Sequence, residues 1–247
     1  MVAGRDGRRP SDEFSGRRGS TDRKPDATGH GRAHPRLHAD APSRRTQGVP
    51  HDRPGTGPLD LTAQARVVAR LARGVRDDQL TGRTPCPEYA VRHLLGHLLG
   101  LAVAFRDAGR KELGPTTDTD PQAALPDIGP GWREALPGVL DELAGAWRDP
   151  AAWTGETRAG GVSLPGEIAG AVAVDELVVH GWDLARATGQ AYEPDLAALT
   201  AAHAFLAASA DDPSRGQIFG PVQPVPDEAP LLDRAIGLSG RDPLWKP

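Results

Sequence analysis

Glu176 and His180 stand four residues apart in the run Val172-Ala-Val-Asp-Glu-Leu-Val-Val-His-Gly-Trp-Asp183, most of whose other members are apolar. At helical spacing the two side chains lie one turn apart on one face. An ionised carboxylate left unpaired on an apolar helix is costly, so the position calls for a cation or a hydrogen-bond donor, and a divalent metal would serve. A Glu and a His at this spacing also occur on ordinary helices that hold no ion, and that alternative stands beside the first. Asp183, one turn beyond His180, could hold the second ring nitrogen as an outer carboxylate. It could equally be a helix cap or a surface acid paired with Arg186.

Further ligands must come from elsewhere in the chain. Cys86 is the only cysteine, which excludes an intrachain disulfide framework and any multi-cysteine zinc or iron-sulfur site. Pro85 and Pro87 place it in an extended connection, where it could be a nucleophile or a small packing residue; no flanking base or helix N-terminus is evident to make a thiolate, which favours packing. His97 falls at the margin of the Leu94/Leu98 apolar face of its helix, whereas His93 points away and reads as solvated. His203 has no acid in its own turn and reads as a packing or surface residue. Helical bundles build metal sites from inward-pointing side chains on facing helices. His97, Glu176 and His180 would make a two-imidazole, one-carboxylate set suited to Zn²⁺ and acceptable to Ni²⁺, Fe²⁺ or Mn²⁺, with a coordination position left open. There a bound water would ionise more easily and a bound thiol would be held as thiolate.

The elements that must position these residues are helices. Leu61, Ala65, Val68, Leu71, Ala72 and Val75 form one apolar stripe, with Asp60 or Thr62 available as a cap. A second helix is expected from about Glu88 to Ala108, faced by Val91, Leu94, Leu95, Leu98, Ala102 and Phe105. After a Pro- and Thr-rich loop over 114–130 comes a third, from near Trp132 to Trp147, whose beginning Pro137 weakens. A fourth runs from Pro165 to about Ala187 and stops at Thr188-Gly189, a fifth spans about Pro194 to Ala208, and a short one lies near Leu231 to Leu238. No β-alternation of useful length is evident, so the fold class is all-α.

Residues 1–57 are crowded with Arg, Gly, Pro, Ser and Asp and carry very few sizeable apolar side chains, so they cannot offset their chain entropy and are expected to be a disordered tail. Acids dilute its arginine pairs and no aromatics interleave them, which gives no basis for specific nucleic-acid binding. His30, His34 and His38 recur every fourth residue there, but Gly31 and Pro35 oppose a helix. No apolar run reaches the roughly twenty residues of a spanning helix and no secretory leader is evident, so no membrane partner and a cytoplasmic location are expected. The formal net charge is −4.

Pro87-Glu-Tyr-Ala-Val-Arg-His-Leu-Leu-Gly-His97 resembles the Pro-x-Trp-x-Val-Arg-Asp-Leu-Leu-x-His segment of actinobacterial metal-binding proteins related to the mycothiol-dependent maleylpyruvate isomerase N-terminal domain, in the DinB-like superfamily. Asp175-Glu-Leu-Val-Val-His-Gly-Trp-Asp-Leu-Ala-Arg-Ala-Thr-Gly189 is similar to its second hallmark. Phe219-Gly-Pro-Val-Gln-Pro-Val-Pro226 and Leu238-Ser-Gly-Arg-Asp-Pro-Leu-Trp245 also look like that subgroup. The resemblance runs from about residue 58 to the end. It implies a DinB-like four-helix bundle over 58–210 and a Pro/Gly-rich segment, 211–247, packed on it, with an extra C-terminal helix. It also implies His97, Glu176 and His180 as metal ligands. Tyr89 stands where the family has Trp, and His93 where it has Asp; neither removes a ligand.

Characterised relatives use mycothiol or bacillithiol as co-substrate, so the resemblance implies a metal-dependent enzyme that uses a low-molecular-weight thiol in transfer to, or isomerisation of, a small electrophile. The isomerase carries a further C-terminal domain. About forty residues follow the fifth helix here, too few and too proline-rich for that domain, which argues against maleylpyruvate isomerisation itself. The alternative is a non-catalytic metal-binding or interaction protein whose ion ties two helices together.

Overall fold

In the computed structural model, residues 58–120, 123–212, 215 and 219–247 are described. The expected tail, residues 1–57 with its spaced histidines, lies outside them. Helix α1 (Thr62–Gly74) buries Ala65, Val68, Leu71 and Ala72, the expected stripe, and Asp60 Oδ1 accepts from the Thr62 amide at 2.9 Å. α2 (Val91–Arg110) buries Val91, Leu94, Leu95, Leu98, Ala102 and Phe105. A single turn, α3 (Pro115–Asp118), interrupts the expected loop. α4 (Trp132–Ala146) runs through Pro137, whose missing donor leaves the helix continuous. α5 (Gly166–Thr188) ends at Gly189 with φ 67°. α6 (Leu196–Ala208) is capped by the Asp195 carboxylate, which accepts from the Ala198 amide; α7 (Leu231–Leu238) follows.

α1 and α2 each pack against both α4 and α5, so the four enclose a common core; α6 lies on α5, and α7 on α6. α5 is buried on nearly every face, as a helix apolar all round must be. Leu94, Leu98, Leu136, Leu140, Leu143, Leu177 and Leu184 are fully buried, each contributing about 1.5–3 kcal/mol through the surface it removes from water. Polar staples fix the register. Buried Gln64 donates to the Leu177 carbonyl at 2.9 Å and the Tyr192 hydroxyl at 3.0 Å, and accepts from the Asp195 amide at 3.0 Å. Trp147, fully buried, donates to the Phe105 carbonyl at 2.8 Å. No helix among the described residues is long and apolar enough to cross a membrane.

One small element stands outside the helical pattern. Residues 156–165 form a two-stranded antiparallel hairpin, β1 (Glu156–Ala159) and β2 (Val162–Pro165), paired Glu156 with Pro165 and Ala159 with Val162. Strands of four residues carry too little alternation to be read, but the Gly160-Gly161 turn has φ 58° and 78°, the left-handed pair that two-residue hairpins favour. Thr157 Oγ1 ties the hairpin to α2 through the Ala108 carbonyl at 2.6 Å.

Candidate metal centre

α5 projects Glu176 and His180 from one face, with Glu176 Oε2 3.0 Å from His180 Nε2. α2 delivers His97 from the facing side, its Nε2 3.3 Å from the same oxygen. The two imidazoles meet edge to face at 4.7 Å between centroids, and Tyr89 flanks His97 at 5.6 Å. Gly96 lets this part of α2 meet the 123–130 loop, because a Cβ there would lie 2.7 Å from the Asp127 backbone. The His97, Glu176 and His180 side chains are 15%, 25% and 11% exposed, so the cluster is sheltered yet reachable.

Behind it the second nitrogen of His180 is engaged. Nδ1 lies 2.9 Å from Asp183 Oδ2; a carboxylate can only accept, so Nδ1 carries a proton, and without an ion Nε2 likewise donates to Glu176 Oε2 at 3.0 Å. Asp183 is fully buried. Its partner is Arg241, arriving from beyond α7, with Nη2 3.1 Å from Oδ2 and Nε 3.3 Å from Oδ1. The alternatives of a cap or an Arg186-paired surface acid are therefore overturned: Arg186 donates to the Pro243 and Trp245 carbonyls instead. Cys86 is no mere packing residue either. Its Sγ lies 3.1 Å from Asp183 Oδ2, 3.9 Å from His180 Nδ1 and 3.3 Å from Arg241 Nη2. Those partners stand 94 to 155 residues further along the chain, where local sequence gives no hint of them. A buried Asp183 demanding a cation was the one available signal.

Electrostatics tie the group together. Burial alone would raise the Glu176 carboxyl, but hydrogen bonds and charge from His180, then His97, hold it well below the usual carboxylate range. Burial opposes the charged imidazole of His180, yet its bonds to Asp183, Cys86 and Glu176 lift it well above the ordinary value. Burial would likewise raise Asp183; the Arg241 charge and His180 lower it. Neighbouring Asp175 goes the other way, pushed up to about 8 by burial and then by the Glu176 charge. Its Oδ1 has no hydrogen-bond partner among the described residues.

The donor atoms of His97, Glu176 and His180 all lie within 4.8 Å of one another. Two imidazole lone pairs around a carboxylate, one ring already oriented by an outer acid, suit a divalent ion. His93 stays out of the cluster. It is half-buried rather than solvated, and its Nδ1 accepts the Ala90 amide at the start of α2 at 3.2 Å. His203, expected as a packing or surface residue, is half-buried on α6.

Residues 61–185 match the family model described as the mycothiol maleylpyruvate isomerase N-terminal domain. Two Mycobacterium tuberculosis proteins, uncharacterized protein MT0763 and uncharacterized protein Rv0738, are each 30% identical over 177 residues, covering 70% of this chain and 91% of the relative. Two crystal structures of the mycothiol-dependent maleylpyruvate isomerase are similar at 17% identity. The first has a TM-score of 0.39 and overlaps 58% of this chain and 65% of its own. The second, a single-substitution mutant, has a TM-score of 0.45 and overlaps 72% and 86%. The chain thus spans just under two thirds of the first of these structures. On the family match and the two mycobacterial relatives, the chain belongs to the mycothiol maleylpyruvate isomerase N-terminal domain family.

Proposed function

We propose that this protein binds one divalent metal ion, zinc foremost with nickel, iron or manganese as alternatives, through His97 Nε2, a Glu176 oxygen and His180 Nε2. We propose further that it uses the ion with a mycothiol-like thiol to act on a small electrophile in the cytoplasm, by transfer or isomerisation. The observation that carries this reading is the convergence of three donor atoms within 4.8 Å while Asp183 fixes the remaining nitrogen of His180. When bound, such an ion supplies positive charge that favours thiolate over thiol and polarises an oxygen.

The chain's own residues do the rest. Asp183 accepts the Nδ1 proton and so keeps Nε2 free to donate its lone pair. Arg241 balances Asp183, which stops that carboxylate from taking the proton itself. Tyr89 walls the His97 side and also lines an open cleft of about 680 Å³ with Cys86 and Arg241, room for a thiol and a small acceptor. An ion serving only to tie α2 to α5 would gain from complete enclosure; Glu176 with a quarter of its side chain exposed favours the catalytic reading.

Purified protein is expected to carry close to one transition metal per chain, lost in His97→Ala and His180→Ala and kept in His93→Ala. Thiol-dependent turnover of electrophiles should vanish with chelator and return with metal. Full metal retention in all three variants defeats the ligand assignment. Metal loss that lowers the melting temperature, with no thiol-dependent turnover before it, leaves the structural-ion reading in its place.

A further inference from the structure

Cys86, His180 and Asp183 make a second group of potential ligands, back to back with the first. Sγ to Oδ2 is 3.1 Å, Nδ1 to Oδ2 is 2.9 Å and Sγ to Nδ1 is 3.9 Å. A triangle of those sides has a point about 2 Å from each corner, and metal bonds to sulfur, nitrogen and oxygen in such sites run about 2.0–2.3 Å. One cation would therefore fit over it with little movement. The open cleft beside Cys86 and Tyr89 gives it a path from solvent. What the cluster holds is the guanidinium of Arg241, facing two of the three corners at 3.3 Å from Sγ and 3.1 Å from Oδ2.

We propose that Cys86, Asp183 and His180 are a second cation site, selective for thiophilic metals, which Arg241 keeps closed by supplying the positive charge itself. This rests on the reading of the first cluster in that His180 serves both. Arginine suits the task because it is always charged and its planar fork matches the Asp183 carboxylate. Sulfur makes the site prefer soft ions over magnesium or calcium. An ion entering there would displace the Arg241 bonds and release the Sγ proton and the His180 Nδ1 proton to solvent. His180 would then bridge two ions, and the hydrogen bond from Nδ1 to Asp183 would be lost. Arg241 is thus a guard: it keeps excess soft metal from capturing the residue that the first ion needs.

Cadmium titration of the full chain tests this, read by bound cadmium per chain, by the ultraviolet thiolate-to-cadmium charge-transfer band and by the rate of Cys86 alkylation with iodoacetamide. The wild type should take one ion with no thiolate band and unchanged alkylation. Arg241→Gln should rise to about two ions, gain the band and show alkylation slowed about tenfold or more. Adding Cys86→Ser should abolish the band and return binding to one ion. Arg241→Lys, which keeps a cation, should behave as the wild type. A band or Cys86 protection with the first ion in the wild type overturns the proposal, as does a folded Arg241→Gln protein that stays at one ion. Should Arg241→Gln not fold, the wild-type band and alkylation decide alone. A wild type that binds no cadmium fails the functional reading instead, and Arg241→Gln still tests the second site.

Discussion

Asp183→Asn changes one atom of a fully buried side chain and should disturb both sides of it. The amide keeps one accepting oxygen and gains two donors. If the oxygen faces Arg241, the NH₂ confronts His180 Nδ1, which must then accept; the ring proton moves to Nε2 and points at Glu176, where the lone pair is needed. If the oxygen faces His180 instead, the NH₂ meets a guanidinium that can only donate. In either case Arg241, with its side chain 16% exposed, loses its carboxylate. Stranding one member of a buried pair costs about 3–5 kcal/mol, which for a domain of this size lowers the melting temperature by about 6–20 °C. Disturbing a ligand's outer partner typically weakens metal binding by about 10–100-fold. Chelator competition measures the second effect and thermal unfolding of metal-free protein the first. An affinity within about twofold of wild type, with melting within about 2 °C, would refute the idea that Asp183 orients His180 and compensates Arg241.

Asp175→Asn should stabilise the metal-free protein at high pH. The carboxyl is raised from 3.8 to about 8, so its penalty is absent below the unfolded value, grows as pH rises towards 8 and then levels off. The gap amounts to about 5 kcal/mol at pH 8 and falls to within about 1 kcal/mol near pH 4; urea unfolding at the two pH values checks it, and equal effects at both sink it. Gly96→Ala should cost about 1–3 kcal/mol by overpacking, because the new Cβ meets the Asp127 backbone at 2.7 Å; a melting temperature equal to wild type would mean the loop yields freely. Metal uptake should expel about one proton, since Asp183, Cys86 and Glu176 together favour the charged form of His180 in the metal-free state. Calorimetry in buffers of different ionisation enthalpy reads that number, and a value near zero would mean His180 is already neutral.

The helices were legible because each buries one periodic stripe: the Leu94/Leu98 face of α2 and the Ala65/Val68/Ala72 face of α1 carry the 3.6-residue repeat through to the core. Glu176 and His180 were legible for a related reason, since polar residues on an otherwise apolar helix are conspicuous. The hairpin was not, because its four-residue strands depend on a glycine turn and on Thr157 reaching the Ala108 carbonyl. Cys86 and Arg241 were missed for want of proximity. The near neighbours of Cys86 include Arg83 and Glu88, but none of its partners His180, Asp183 and Arg241. The ring of contacts around it closes only when the chain after α7 returns to the bundle and sets Arg241 against Asp183.

The three neighbouring carboxylates of α5 do not behave alike. Asp183 meets a guanidinium and a ring N–H and stays ionised; Glu176 lies between two imidazoles and stays ionised. Asp175, one residue away but turned elsewhere, has an oxygen without a partner and is pushed up. Along the line Arg241, Asp183, His180, Glu176, His97, every acid has a basic group on each side, so each acid has the donors it requires. His180 is the hinge of that line, because Asp183 holds its Nδ1 proton while its Nε2 proton can give way to an ion. Only at the Glu176 end is the positive charge supplied by an imidazole, that of His180, which can give it up, rather than by an arginine, which cannot. A metal ion can therefore replace a proton at the Glu176 end, whereas at the Cys86 end it would have to displace a permanent cation.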